Sequence, residues 1–505
     1  LGLHQTSNFK RIKDENVNVN ISNIDISSVT PTVASRIINN LNIILRNTTG
    51  TVTFSIKGKG ENLKELLKSS QKAADNSEST NSICTQNIKL ELSDVVNVED
   101  GYRITQATDL SAIDTINEPD ITFNGVKDIY TNIVGVSGQV VNVKLQTILD
   151  YDPAVNLEID GLIDNANTDN VKTINNLMSK TNGNITASIR GQVDILGDAQ
   201  NGLSDSPNEH NALTLTVLPK SNGDGGSVAE CKKITLSTSA EIITYETKGI
   251  RDQYSNLISN SDINSDVKKI ITKTKDIRID ITDEQTLTDV EALNKLMGKT
   301  ADGTTGVVTA TITGKPSVLD DLTHINKENH VLTTNVNTEN FSIDQALHIT
   351  TATTEDVNFT TSLEEEWGTN GSNFITGTGT LVSKITNIAN NHSLGKLQFN
   401  INILNTVNST RTWITVDDNQ ITGLNNLINI SSKEIYAELT GATDVLEKLN
   451  QQWAYKAIDD KGNEIELNNT SDKNLQNIDT LPIISTAVTP KNAVNYKVSD
   501  NGNAL

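Results

Sequence analysis

The chain has little of what marks a catalytic, redox or membrane protein. In 505 residues there are two cysteines, Cys84 and Cys231. Two so far apart make neither a disulfide framework nor a zinc knuckle, and nothing in the sequence places them together as a bridge. Aromatic residues are 4% and hydrophobic residues 35%. That is thin material for one large core in a chain of this length, so several small Val/Ile/Leu cores are expected. Basic residues number 41 against 63 acidic, a net charge of −22. Such a surface repels phosphate backbones and anionic bilayers, which argues against nucleic acid and membrane partners. No apolar run reaches the eighteen or so residues of a spanning helix. The six histidines fall in no zinc-binding spacing, and no nucleophile elbow, phosphate loop or dinucleotide fingerprint occurs. Residues 222–226, the densest glycine stretch, lack a following lysine and read as a turn. Carboxylate pairs are everywhere, so none singles out a hydrolase. The reading is that the chain is not an enzyme.

What the chain does have is repetition. Seven times a strand-like run ends on glycine and is followed by a segment with Leu/Ile at helical spacing. The clear copies end at Gly58, Gly191, Gly314 and Gly441, the weaker ones at Gly125, Gly249 and near Gly379. The spacing is about 63 residues throughout, which means a duplicated supersecondary unit and an extended array. In residues 276–337, Ile277, Ile279 and Ile281 alternate as on a half-buried strand. Thr286 and Thr288, with Asp289 and Glu291 three residues on, have capping-box spacing. Val290, Leu293, Leu296 and Met297 line one helix face, and Val308, Ala310 and Ile312 one strand face. Pro316 suits the first turn of a short helix carrying Val318, Leu319 and Leu322. Leu293, Leu296, Ile312 and Leu322 are expected to be buried together. Leu293-Asn294-Lys295-Leu296 returns as Leu424-Asn425-Asn426-Leu427 and as Ile38-Asn39-Asn40-Leu41.

The expected fold is α/β, with tandem strand-helix-strand-helix repeats forming an elongated array or solenoid with parallel strands. A chain of β-sandwich domains is the alternative. The expected division is an N-terminal arm (1–20), seven repeats (21–94, 95–156, 157–219, 220–275, 276–337, 338–404 and 405–470) and a C-terminal segment (471–505). Residues 203–211, 220–227 and 364–373 read as surface loops, the last holding Trp367. The start at Leu1 is what a removed signal peptide, or a longer parent chain, would leave.

Acidic loops are the one candidate ligand chemistry. Asp164, Asn167 and Asp169 alternate oxygen side chains as a calcium loop does, though without its glycine and distal glutamate. Asp417, Asp418 and Asn419 form the second set, at a strand-to-helix junction. Calcium is the one cofactor these suit.

Residues 283–322 carry a strand ending in Asp, a Thr-led helix with L-N-x-L, and Thr305-Gly306-Val307-Val308-Thr309-Ala310-Thr311-Ile312-Thr313-Gly314. This resembles the repeats of S-layer and large secreted, haemolysin-like cell-surface proteins of cyanobacteria and other aquatic bacteria. The resemblance covers about half the chain and carries no catalytic assignment. The nonapeptide calcium repeats often found in such proteins are not present here. It implies a structural protein of the cell exterior, a self-assembling surface-layer or filament subunit whose partners are copies of itself. An adhesin or stalk that binds cell-surface polysaccharide is the alternative.

Overall fold

The structure is a computed structural model. It describes residues 17–66 except 49, 86–107, 121–134, 141–205, 211–300 except 241, 275 and 276, 306–323, 330–366 except 338, 354 and 362, 381–391, and shorter stretches between 401 and 498. Two compact units are present, residues 1–248 with 272–274 and residues 249–271 with 275–505.

In the first unit one sheet runs Val19–Asn20, Val52–Gly58, Gln86–Leu92, Ile121–Thr122, with Ile24–Asp25 also on Val52–Gly58. A second runs Val126–Ile129, Leu157–Ala166, Ile185–Gln192, Ala212–Leu218, Thr244–Tyr245. The bridge Val96–Val126 is parallel and lies between them. Every pairing in both sheets is parallel, and the strands neighbour one another in chain order. Parallel neighbours need a long crossover. Helices such as Pro31–Asn47, Val143–Tyr151, Thr168–Lys180 and Val228–Leu236 supply it.

The second unit repeats the scheme. One sheet orders Ile250–Asp252, Arg278–Ile281, Val307–Gly314, Val331–Val336 and Val357–Phe359, all parallel, with Gln285–Leu287 also on Val307–Gly314. Another orders Leu363–Glu366, Ile401–Leu404, Ile435–Gly441, Asn492–Val498 and Trp453–Ile458 in parallel, and Glu464–Ile465 closes its edge antiparallel. The protein is thus mixed α/β with parallel sheets, and no sheet among the described residues closes into a barrel. The sandwich alternative does not describe these sheets. Glu364 to Glu366, read as loop, belong to a strand.

Alternation sets the faces. Val52, Phe54 and Ile56 are buried, as are Ile185, Ala187 and Ile189, and Val308, Ala310 and Ile312. Gly58, Gly191 and Gly314 extend the same buried rows. A Cβ on Gly191 or Gly314 would come within 3.1 or 3.0 Å of Leu196 or Leu319, on the short helix that follows. Leu63 stands five residues past Gly58 in the same way, and all three leucines are fully buried. At Gly191 and Gly314 the missing side chain leaves room for that leucine, whereas at Gly58 a Cβ would first meet Ile26, at 2.6 Å; the strand through Gly191 runs one residue further, to Gln192. Leu293, Leu296, Ile312 and Leu322 are buried as expected.

Two expectations change in detail. Gly125 and Gly249 do not end strands; they precede Val126–Ile129 and Ile250–Asp252. Gly379 lies outside the described residues. The helix at 291 is started by Asp289, whose Oδ1 accepts from the Glu291 amide at 3.2 Å, while Thr286 sits in a strand.

Two polar fastenings recur. Asn42, Asn175, Asn294 and Asn425 each donate from Nδ2 to a loop carbonyl past the glycine-ended strand, of Glu65, Gly202, Asp321 and Lys448 respectively, at 2.7–2.9 Å. The register is therefore Leu41-Asn42, three residues later than the Ile38-Asn39 match suggests. At helix ends, buried Thr48, Thr181, Thr238 and Thr353 donate to the carbonyls of Val17, Val155, Leu213 and Leu332. Each hydroxyl also accepts from the amide two residues on. Where that residue is Gly183, a Cβ would lie 2.2 Å from the Val155 carbonyl oxygen, so only glycine fits there.

The strand path before each glycine-bearing strand carries surplus residues against its partner, as a bulge within Leu157–Ala166, as short breaks elsewhere, and between Ile401 and Ile414 with the small antiparallel hairpin Thr406–Val407/Thr410–Arg411. Against its partner it carries one extra residue between Val19 and Ile24, three between Leu157 and Ala166, two between Arg278 and Gln285, and nine between Ile401 and Ile414.

Candidate functional site

The two acidic loops are matched positions, each starting the long helix that precedes a glycine-ended strand. Asn167 accepts from the amides of Asp169 and Asn170 at 3.0 and 2.9 Å, and the Asn170 side-chain oxygen accepts from the Asn167 amide. This is a capping box, so the Asn167 oxygen is engaged with backbone. Asp164 lies apart from it, paired with Arg190 at 2.9 Å. Asp169 is exposed on the first helical turn, where a carboxylate favours the helix dipole. In the second loop, Asp417 accepts from Asn419 and Gln420 amides at 3.0 Å, and Gln420 accepts from the Asp417 amide at 2.7 Å. Asp418 pairs with Lys448 at 2.7 Å, and Asn419 is exposed. Both sets therefore act locally as helix starts. Among the described residues no three His, Cys, Asp or Glu side chains stand together as a metal site.

The sheets offer a second candidate surface. The row opposite the buried one is polar and partly exposed: Thr53, Ser55 and Lys57; Thr186, Ser188 and Arg190; Thr309, Thr311 and Thr313; Thr333 and Asn335. All-parallel sheets are ordinarily buried on both faces, so a polar row on these strands is a departure. Cross-strand pairs tie it together. Lys57 pairs with Glu91. Lys127 meets Glu158 at 2.7 Å and Asp160 at 3.7 Å. Arg190 holds Glu246 at 2.8 Å besides Asp164. The guanidinium hydrogen bonds keep both carboxyls below their usual range. In the second unit Thr313 donates to Glu284 at 2.6 Å, and Arg278 is bound by Asp280 at 2.9 Å.

Buried polar positions were not singled out by the sequence. Asn211 accepts the Ile185 amide at 3.2 Å, and His330 accepts the Val308 amide at 3.2 Å. Cys231 is fully buried beside Tyr245. Burial first, then the neighbouring thiol, raises that phenol well above its ordinary value. Cys84 and Trp367 lie outside the described residues. No helix among the described residues is long and apolar enough to cross a membrane.

Neither the known protein families nor the curated proteins contain a match to this chain.

Proposed function

We propose that this is a structural protein of the cell exterior, a self-assembling surface-layer or filament subunit. In this reading the chain is a tandem array whose repeat of about 63 residues corresponds to two successive βα strands of a growing parallel sheet. The observation that carries it is the fourfold asparagine clamp, Asn42, Asn175, Asn294 and Asn425. What recurs most faithfully along the chain is a fastening of architecture, with no reacting group attached.

Assembly with copies of itself is supported by the first strand. Val19, Ile21 and Ile24 are half-exposed, whereas the matched Leu157, Ile159 and Ile163 are buried, as are Ile279 and Ile281. The inner strands have a neighbour on each side, and the first has its described neighbour on one side only. Amides of Val19 and Ile21 point to Thr51 and Thr53. By alternation those of Asn20 and Ser22 point outward, where another strand can add. Electron microscopy and sedimentation of the chain and of Asn20→Pro test this. Assemblies from the parent and none from Asn20→Pro are expected. Unchanged assemblies from the variant would remove this edge from the proposal, and a parent chain that stays monomeric would remove self-assembly. Calcium enters as a bridge between copies that relieves the −22 charge at exposed carboxylates such as Asp169 and Asp418. EDTA at low ionic strength should then dissolve the assemblies.

A second reading, an adhesin or polysaccharide-binding stalk, is favoured by the Thr/Ser/Asn row on the exposed sheet face. Retention on cell-surface polysaccharide, lost when Thr311 and Thr333 are changed to Val, would support it.

A further inference from the structure

One position in the buried framework carries a titratable ring. His330 is 1% exposed and opens the strand Val331–Val336. Its Nδ1 accepts the amide of Val308, the second residue of the neighbouring strand, at 3.2 Å. Nδ1 is thus unprotonated and the ring proton sits on Nε2. That Nε2 is buried with no hydrogen-bond partner among the described residues. In the first unit the same place is filled by Asn211, whose Oδ1 accepts the amide of Ile185 at the same distance. The match is set by register: Thr186 pairs with Ala212 as Thr309 pairs with Val331, one residue beyond each contact.

We propose that His330 is an acid-operated release in the sheet of the second unit, and that Asn211 makes the corresponding sheet of the first unit indifferent to the same acidification. A proton arriving from solvent at Nδ1 turns the acceptor into a donor. It then faces the Val308 N–H, so the tie between the two strands is lost. The imidazolium left behind is buried with neither ring N–H matched to an acceptor among the described residues, which is costly. Parting of the strands at that end, which admits water to the ring, relieves this.

Charged groups on the surrounding elements are engaged elsewhere. On the helix Glu291–Thr300, Lys295 pairs with Glu291 at 2.7 Å. On the helix Ile343–Thr351, His348 meets Asp320 at 2.9 Å and Asp344 meets Lys384. Arg278, on the strand beyond Val307–Gly314, is held by Asp280. Glu355 is exposed and Asp356 half-exposed past Thr353. No carboxylate among the described residues is placed to stabilise an imidazolium at His330, and burial alone pushes the ring below its ordinary value. The sign follows. A depressed histidine contributes stability that is complete above the unfolded value, about 6.5, and is lost as pH falls through the lower folded value.

The test is hydrogen exchange by mass spectrometry on the full chain between about pH 7.5 and 5, corrected for intrinsic rates, since an acid step at a histidine falls in that window. Protection of residues 306–314 and 330–336 should fall on acidification, in the direction that burial of the ring sets. Residues 185–192 and 212–218 should hold theirs. His330→Asn should abolish the loss in the second unit, and Asn211→His should create it in the first. Equal loss in both sheets of the parent chain would overturn the proposal, as would an unchanged loss in His330→Asn. If His330→Asn fails to fold, the contrast within the parent chain and the Asn211→His result still decide.

Discussion

Ile185 and Val308 stand at the same place in two different sheets, and each gives its amide to a buried side chain from the next strand. In the first unit the acceptor is Asn211, in the second His330, both at 3.2 Å. Around them the two units agree closely. Thr238 and Thr353 bind the carbonyls of Leu213 and Leu332, and Asn175 and Asn294 clamp the same loop. The difference teaches that the position demands an acceptor for one backbone amide and is neutral about the chemistry that supplies it. Leaving such an amide buried and unpaired costs roughly 1–3 kcal/mol. Titration behaviour is then free to differ between sheets that are otherwise fastened alike.

The comparison can be broken most forcefully in the cores. Leu177 and Leu296 are matched and fully buried. Leu177→Ala and Leu296→Ala should each cost about 2–5 kcal/mol in urea unfolding. A cost below about 1 kcal/mol in one of them would mean the two helices are not equivalent. The clamp comes next. Asn175 binds the Gly202 carbonyl and the Ser204 amide, and Asn294 binds the Asp321 carbonyl and the Thr323 amide. Asn175→Ala and Asn294→Ala should each lose about 1–3 kcal/mol. The first should lose more, because its carbonyl contact is part-buried and that of Asn294 is exposed. The smallest effect concerns Arg190, whose matched residue in the second unit is Thr313. Asp164 and Glu246 are held low by Arg190, so their contribution is present above their ordinary values and lost as pH falls through the depressed ones. Arg190→Gln should raise the pH of acid unfolding of the first unit slightly, and the difference should vanish in high salt. A change in the second unit would contradict the match.

Much of the fold was legible because its signals are local. The strand ending at Gly314, the helix starting at Pro316 and the buried set Leu293, Leu296, Ile312 and Leu322 follow from alternation, ring geometry and helical spacing. Gly125 and Gly249 misled because a glycine marks a break without saying on which side the strand lies. Asn294 was seen inside its motif, but its partner is 27 residues away, and no local pattern reveals that. The acidic loops were ambiguous for a different reason. An oxygen-bearing side chain aimed at two amides and one aimed at a cation leave the same spelling in sequence, and Asn167 and Asp417 both bind amides here.

The bulged strands have a consequence for change over time. The glycine-bearing strands are paired without interruption, but the predecessor of each absorbs one, three, two or nine surplus residues without losing either end of its pairing. It works as the expansion joint of the sheet. A peptide tag inserted between Leu404 and Ile414 should leave the two flanking registers in place.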